Sequence, residues 1–275
     1  MKITVIGGGY VGRAIARSWY QAGHHVTVTT TTPEKIKQLT SVASQVAIAI
    51  GEDLNSIQEV IRDRDLILLC VSAKKRTIEA YRQAYLATAQ NVLQTLQANP
   101  SVKQLIYTSS YGILGDKNGA WTDETSTVNP TSETSEILAQ TEEALLSVPK
   151  ARWKTCILRL SGIYGPGREL IKIFRSWAGT TRPGSGEDYR NWIHLDDIVG
   201  AIKLAQEKQL AGIYHVTSDE VLTSQEFFRR LFQTHNLPPI QWDNSQSSSR
   251  PYNLKLSNQK LKAAGFKLIH PQIVF

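Results

Sequence analysis

The chain has 275 residues, 41% hydrophobic and 20% charged, enough to bury a sizeable core in one or two domains. No apolar run approaches the roughly 18–20 residues that a membrane helix needs, so no membrane span is expected. The net charge of +7 is lopsided, with 13 Lys and Arg against 14 Asp and Glu in residues 1–149, and 18 against 10 in residues 150–275. With no dense Lys/Arg run, the basic half argues against nucleic acid and for a small anionic ligand or a solvated basic surface.

In chain order, Ile3 to Ile6 form the apolar heart of a first strand, which runs into Gly7, Gly8, Gly9, Tyr10, Val11 and Gly12. Helical spacing follows at Val11, Ala14, Ile15, Ser18, Trp19 and Ala22, stopped by Gly23. His25 to Thr30 is a second strand, Pro33 to Lys35 starts a short helix, Gln45 to Ile50 is a third strand, and Ile57 to Arg64 is a helix. Asp65 to Val71 is a continuous apolar run bounded by charge, as a central parallel strand covered on both faces should be. Tyr81 to Ala98 is a long helical pattern ending at Asn99-Pro100. Val102 to Thr108 is another central strand, left by the loop Ser109 to Gly115. Polar Asp116 to Ser135 gives way to a helix, Glu136 to Ser147, and Thr155 to Leu160 is a sixth strand. The alternation predicts an α/β fold with a doubly wound parallel sheet.

Beyond Leu160 the rhythm loosens. A turn-rich loop, Ser161 to Gly167, precedes a helix, Glu169 to Trp177, and a mobile-looking loop, Gly179 to Arg190. Asp196 or Asp197 can cap a helix reaching about Glu207. Gly212 to Thr217 is a strand, Ser224 to His235 a helix, Asn244 to Arg250 a surface loop, and Leu256 to Ala264 a last helix. Residues 1–160 are therefore read as a dinucleotide-binding domain to which 191–218 return. Residues 161–190 and 219–275 form a smaller, discontinuous substrate lobe. Cys70 and Cys156 lie in apolar β-like runs without metal-site spacing and read as thiols of a reducing compartment. Met1 leads straight into a strand, so no leader and a cytoplasmic location are expected.

Strand, glycine turn, helix and strand within Met1 to Thr30 make the unit that binds a dinucleotide. Gly7 allows the tight turn, Gly9 lets the backbone approach a pyrophosphate, and Gly12 lets the helix pack closely. Tyr10, Val11 and Arg13 open the helix, whose N-terminal N–H groups and dipole favour phosphate. An NAD site usually presents Asp or Glu at the end of the second strand, about twenty residues past the glycines. Here Thr30 stands there, within Thr29 to Thr32, and no carboxylate comes before Glu34. A hydroxyl can donate to a 2′-phosphate that a carboxylate would repel, and Arg13 and Lys35 add positive charge. NADP is expected over NAD.

Several stretches together resemble the extended short-chain dehydrogenase/reductase family, the nucleotide-sugar epimerases and dehydratases. Gly51-Glu52-Asp53-Leu54 is similar to its adenine-contacting acidic turn, which implies cofactor contacts at Asp53 and Leu54. Val71 and Ser72, ending the central run, join the implied cofactor residues. Leu105 to Asp116 (LIYTSSYGILGD) resembles the strand with the catalytic Ser. Leu158 to Gly167 (LRLSGIYGPG) resembles the loop beside the nicotinamide, which implies Ser161 and Ile163. Arg190 to Asp197 (RNWIHLDD) resembles the substrate-side Arg and helix start, and Gly212 to Glu220 the late strand. The resemblance covers nearly the whole chain and implies a Rossmann fold. It also implies a homodimer through the helices at 81–98 and 136–147. Two features depart from it. The usual Gly-x-x-Gly-x-x-Gly turn has Ile6 in its first place. The Tyr-x-x-x-Lys pair is missing, for the expected window reads Thr134-Ser135-Glu136-Ile137-Leu138-Ala139-Gln140. The chain is thus similar to the family's atypical branch.

In the family the Tyr is the general acid/base, the Lys lowers its pKa and holds the nicotinamide ribose, and the Ser hydrogen-bonds the reacting oxygen. Ser110 matches that Ser, or is a strand-end Ser satisfying backbone groups. Tyr111 and Tyr164 are candidate replacement acids. An unperturbed phenol, with a pKa of about 10, is a slow base near neutrality. Glu136 is a third candidate. Packing accounts equally for the tyrosines, and helix-start electrostatics for Glu136. Arg190 could clamp a phosphate or carboxylate bidentately, or form a surface ion pair. His194 reads as a hydrogen-bonded structural residue rather than a base. No metal site is expected there, because its neighbours at ligand spacing are carboxylates that suit capping. Two functions follow. One is an NADP-dependent oxidoreductase or epimerase for a small sugar-like or anionic substrate. The other is a catalytically silent dinucleotide-binding sensor that reports to a protein partner.

Overall fold

The structure is a computed structural model that describes residues 1–98, 101–147 and 152–275. The backbone divides into two units. The first comprises Met1–Ser110, Ser132–Arg159 and Ala201–Tyr214, and the second Tyr111–Thr131, Leu160–Gly200 and His215–Phe275.

In the first unit the Val-, Ile- and Leu-rich segments pair into a seven-stranded sheet. It contains β1 (Lys2–Ile6), β2 (His25–Thr30), β3 (Gln45–Ile48), β4 (Leu66–Leu69) and β5 (Gln104–Ser110), with Lys154–Leu160 and Gly212–Val216 beyond them. The spatial order is Gly212–Val216, Lys154–Leu160, β5, β4, β1, β2, β3. The ladders β3–β2, β2–β1, β1–β4 and β4–β5 are all parallel. The chain moves outward from β1 to β3, then returns to β4 on the other flank of β1. The strand order therefore reverses at β1/β4, the place where open α/β sheets bind ligands. All four residues of β4 are fully buried, as its unbroken apolar run requires.

The helices of this unit are α1 (Tyr10–Gln21), α2 (Ile36–Leu39), α3 (Leu54–Ile61), α4 (Ile78–Tyr81), α5 (Thr88–Gln97) and α6 (Glu133–Leu146). Residues Arg82–Ala87, which join α4 to α5, are π-helical. The expected stop at Asn99-Pro100 lies outside the described residues. Two helices begin three residues earlier than their apolar spacing suggests, because side chains cap them. The Asp53 carboxylate accepts the Asn55 amide at 3.0 Å at the head of α3. Ser132 and Ser135 form a reciprocal capping box at the head of α6. β5 continues through Ser109 and Ser110, which sequence alone assigns to the following loop.

One buried ion pair belongs to this unit. The Arg159 guanidinium meets the Glu142 carboxylate on α6, with Nη2 at 2.7 Å and side chains 3% and 4% exposed. Nε reaches both carboxylate oxygens, at 3.1 and 3.0 Å. Taking two charges out of water is expensive, and this fork geometry offsets much of the cost.

The second unit holds α7 (Leu170–Phe174), α8 (Leu195–Glu207), α9 (Ser224–Thr234) and α10 (Gln259–Ala263). Gly162–Tyr164 pairs in parallel with Trp192–His194. Tyr189–Arg190 pairs antiparallel with Leu222–Thr223. Thr181–Pro183 pairs with Gln241–Asp243, and Trp121–Thr122 with Lys255–Leu256. Its core is aromatic, built from Tyr164, Phe174, Trp192, Phe227, Phe228 and Phe232. The expected loop Gly179–Arg190 thus carries two short strands. The last helix starts only at Gln259, because Leu256 is spent in a ladder. Among the described residues no helix is long and apolar enough to cross a membrane.

Glu142→Ala should lower the unfolding free energy by about 3–5 kcal/mol in urea titrations, because it leaves Arg159 buried and unpaired. The double variant Glu142→Leu/Arg159→Met should regain most of that loss. A double variant no more stable than the single one would show that charge pairing is not what Arg159 needs.

Candidate functional site

In the first unit, the turn after β1 is shaped by two close approaches. Gly7 has φ +109°, and a Cβ there would collide with the Cys70 carbonyl oxygen. A Cβ on Gly12 would collide with the carbonyl oxygen of Gly7. Gly9, by contrast, faces open space. It is the N-cap of α1, which has no side-chain cap and no acidic residue in its first turn. The positive end of the helix is therefore uncompensated and faces a backbone that a phosphate can approach, so the cradle fits a pyrophosphate.

The remaining cofactor candidates of this unit sit on the same sheet. Thr29 holds the turn, its carbonyl accepting from Gly8 at 2.7 Å and its hydroxyl from Gly7 at 3.1 Å. Thr30 is buried, and its hydroxyl accepts the Thr32 amide at 3.1 Å. Arg13 and Val71 are half-buried and Ser72 is exposed. Asp53 is exposed and serves as the α3 cap, with Leu54 opening that helix. Ser110 ends β5, half-buried. In the window that lacks Tyr and Lys, Thr134 lies against Ser132 at 3.1 Å, and Glu136 accepts from Gln140 at 3.2 Å.

In the second unit, Tyr111, Phe174, Arg190, Trp192, Arg250 and Tyr252 line a cavity of about 200 Å³. Arg190 is 7% exposed, which overturns the surface ion pair as its explanation. Its Nε donates to Ser224 Oγ at 2.9 Å, and its guanidinium lies 4.4 Å from the centre of the Phe228 ring. Ser224 in turn donates to Asp188 at 3.0 Å. Burial first, then the nearby Arg250 cation, pulls Arg190 down to about 9. Arg250 donates to the Tyr189 carbonyl at 3.0 Å. Its Nε is buried 3.7 Å from Asp188 with no hydrogen-bond partner among the described residues, and the indole N–H of Trp192 is in the same condition. Tyr111 meets Tyr252 edge-on, with centroids 5.2 Å apart. Burial foremost pushes the Tyr252 phenol up. Arg250 and Tyr252 escaped the sequence reading because they lie some sixty residues from Arg190, in a stretch that reads as surface loop.

The other candidates of this unit have structural partners. The Tyr164 hydroxyl is 2% exposed with its ring and accepts the Val274 amide at 3.1 Å. His194 caps α8, its Nδ1 accepting the Asp196 amide at 3.2 Å. Neither Asp196 nor Asp197 does this, contrary to expectation. Asp197, fully buried, instead accepts the amides of Ile269 and His270 at 2.6 and 3.0 Å. The rings of His194 and His270 lie 3.9 Å apart, and Asp196 is 3.1 Å from His270 Nε2. These three residues offer ligand-type atoms within 4.8 Å of one another, a grouping that spacing around His194 alone did not reveal. Within the grouping Nδ1 of His194 accepts from the helix amide, and Asp196 and His270 form a hydrogen-bonded pair. Ser161 is buried with its hydroxyl unpartnered among the described residues, and the Ile163 carbonyl accepts from Arg168 at 3.0 Å.

Comparison with known proteins bears on both units. A family profile described as the NAD dependent epimerase/dehydratase family matches residues 3–216. Protein YeeZ of Escherichia coli (strain K12) is 27% identical over 258 residues, covering 90% of this chain and 89% of that protein. A UDP-glucose 4-epimerase of Thermus thermophilus, solved in complex with NAD, superposes with a TM-score of 0.80 at 21% identity. That match covers 100% of this chain and 95% of the epimerase. A functionally unknown conserved protein from Silicibacter pomeroyi DSS superposes with a TM-score of 0.77 at 21% identity, over 98% and 94% of the two chains.

The cap at α8 gives a pH dependence. Burial, then His270, holds the His194 imidazole below its ordinary value, against the pull of Asp196 and Asp197. The unfolded chain therefore takes up this proton more readily, so the stability His194 contributes is present above the ordinary imidazole pKa and lost as pH falls below it. Urea midpoints should drop between pH 7 and 5, by at most about 1.4 kcal/mol per pH unit for one proton. His194→Asn, which keeps a capping acceptor that does not titrate, should flatten the curve. An unchanged slope would remove His194 as its cause.

Proposed function

Because this chain belongs to the NAD-dependent epimerase/dehydratase family, we propose that it is an NADP-dependent oxidoreductase or epimerase acting on a small sugar-like or anionic substrate. The observation that carries the substrate class is the cavity of Arg190 and Arg250. Arg190 and Arg250 both line it, Arg182 adds a further cation close to Arg190, and Asp188 is the carboxylate that acts on Arg190. Arg190 remains a cation at neutral pH and can pair with a carboxylate or phosphate.

Gly7, Gly9 and Gly12, with Tyr10, Val11 and Arg13, would hold the pyrophosphate. Thr30 would face the adenosine 2′ position, and Asp53 and Leu54 the adenine side. Val71, Ser72, Ser161 and Ile163 complete the proposed cofactor set. When bound, the nicotinamide supplies a hydride donor or acceptor. Ser110 would hold the reacting oxygen by its hydroxyl. Tyr111, which lines the cavity, is the better proton donor of the two tyrosines, since Tyr164 is buried in the aromatic core. His194 supports the cavity side by fixing the start of α8. A cytoplasmic homodimer is part of the same reading.

The second reading, a catalytically silent redox sensor, draws on α6. Between Thr134 and Gln140 it presents neither Tyr nor Lys, and Ser132 and Ser135 at its head are taken by capping. The cavity lined by Arg190 and Arg250 favours the enzyme.

Calorimetric titration tests the cofactor. NADPH should bind more tightly than NADH, and Thr30→Asp should reverse that order. Binding of neither dinucleotide would leave the glycine turn a relic and end the proposal. For the substrate side, Arg190→Ala should raise KM for accepted carboxylated or phosphorylated carbonyl compounds by about ten- to a hundredfold, the loss of one charged hydrogen-bond partner. An unchanged KM for all of them would discard the clamp.

A further inference from the structure

The connection from β4 to β5 contains a backbone irregularity. Between α4 and α5 the helix widens into the π-helical stretch Arg82–Ala87, a form that costs helical regularity and often marks functional positions. Tyr85 lies in this stretch. Its ring rests 5.2 Å from that of Tyr81 and against the core of the first unit, and the stretch packs on α6. Its hydroxyl lies beside the loop leaving β4, where Ser72 and Ala73 are the polar groups that act on it.

That loop is tied to the glycine turn. The Cys70 amide donates to the Ile6 carbonyl at 2.9 Å, and the Cys70 carbonyl abuts Gly7. The ladders pair Ile6 with Leu69, and Leu69 with Tyr107. Both β1 and β4 end at that pairing, so Ser72 leaves β4 three residues beyond Leu69 on the same edge of the sheet as the glycine turn, while β5 runs on to Ser110. A dinucleotide crossing the switch point places its adenosine over β2 and β3, where Thr30 and Asp53 stand, and its other half over β4 and β5. The Tyr85 hydroxyl is at the β4 end of that second half. A phenol both donates and accepts, which suits a sugar hydroxyl.

We propose that Tyr85 holds the nicotinamide-side ribose of the cofactor, in place of the lysine that α6 lacks. The inference rests on the dinucleotide reading given above. Burial keeps the Tyr85 phenol above its ordinary value, so at neutral pH it is a hydrogen-bond donor and a positioning group, not a base.

The test compares intact dinucleotides with their adenosine halves by calorimetry, using wild type and Tyr85→Phe. The variant keeps the ring and its packing. The pairs are NADPH against adenosine 2′,5′-bisphosphate, and NADH against ADP. Tyr85→Phe should weaken the preferred dinucleotide about tenfold, the worth of one hydrogen bond, and leave its adenosine half unchanged. Thr30→Asp should alter the adenosine halves as well, which separates the two ends. Equal losses for dinucleotide and half, or no loss for either, would overturn the role of Tyr85 while the cofactor reading stands. If wild type binds no member of either pair, the cofactor reading fails and this inference falls with it.

Discussion

At the head of α1 the carbonyl oxygens of Gly7 and Cys70 occupy the space that two Cβ atoms would need. That crowding sets how closely β1, α1 and β4 approach one another, and much else follows from it. With α1 pressed onto the sheet, its N-cap Gly9 faces open space without a side-chain cap, and the dipole is left for an anion to answer. With Cys70 against Gly7, the chain leaving β4 must exit beside the turn. Ser72 is thereby delivered to the carboxyl edge of the sheet, near Tyr85. A substitution at Gly7 or Gly12 would therefore displace α1 and the β4 exit together, along with every candidate contact that depends on them.

The two units treat buried arginine in opposite ways. In the first, Arg159 faces a carboxylate that receives its Nε and Nη2 in a fork. In the second, Arg190 meets only a hydroxyl and an aromatic face, with a second arginine nearby. The first arrangement matches one cation with one carboxylate and reads as architecture, with Nη1 of Arg159 buried and without a hydrogen-bond partner among the described residues. The second leaves positive charge and N–H groups partly unanswered, a state that proteins maintain where a ligand supplies the missing half. Arg190 and Arg159 are both more than nine-tenths buried, so the distinction lies in the partners rather than in depth.

The parallel sheet was legible because its strands are continuous apolar runs and its first turn is spelled in glycine. β2 was bounded correctly at both ends. The starts of α3 and α6 were placed late, because apolar spacing marks where a helix begins to pack, whereas Asp53 and Ser132 mark where its backbone begins to turn. The π-helical stretch was invisible, since one extra residue within a turn only shifts the apolar phase. The roles of His194 and Asp197 were exchanged. Several polar residues ahead of a helix are equally good caps on paper, and the decision rests on Ile269 and His270, more than seventy residues away. Arg190 was legible as a cation in a notable place. Its partners in the cavity were not, because Arg250 and Tyr252 become its neighbours only through the fold. Those long-range meetings are also what the roles of Ser110, Tyr111 and the other site residues depend on.

The last stretch of the chain shows what such meetings imply. From Ile269 onward it belongs to no helix or strand, yet it is held in place. The amides of Ile269 and His270 bond to Asp197, that of Ile273 to Glu220, and that of Val274 to the Tyr164 hydroxyl. The Pro271 carbonyl takes the amides of Asp219 and Glu220 in return. What is recognised here is main chain, which every residue type but proline supplies alike. Such a segment can change its side chains over evolution with little penalty, but it cannot change its length. One residue inserted or removed between His270 and Ile273 would put the remaining amides out of step with acceptors that are themselves fixed in the fold.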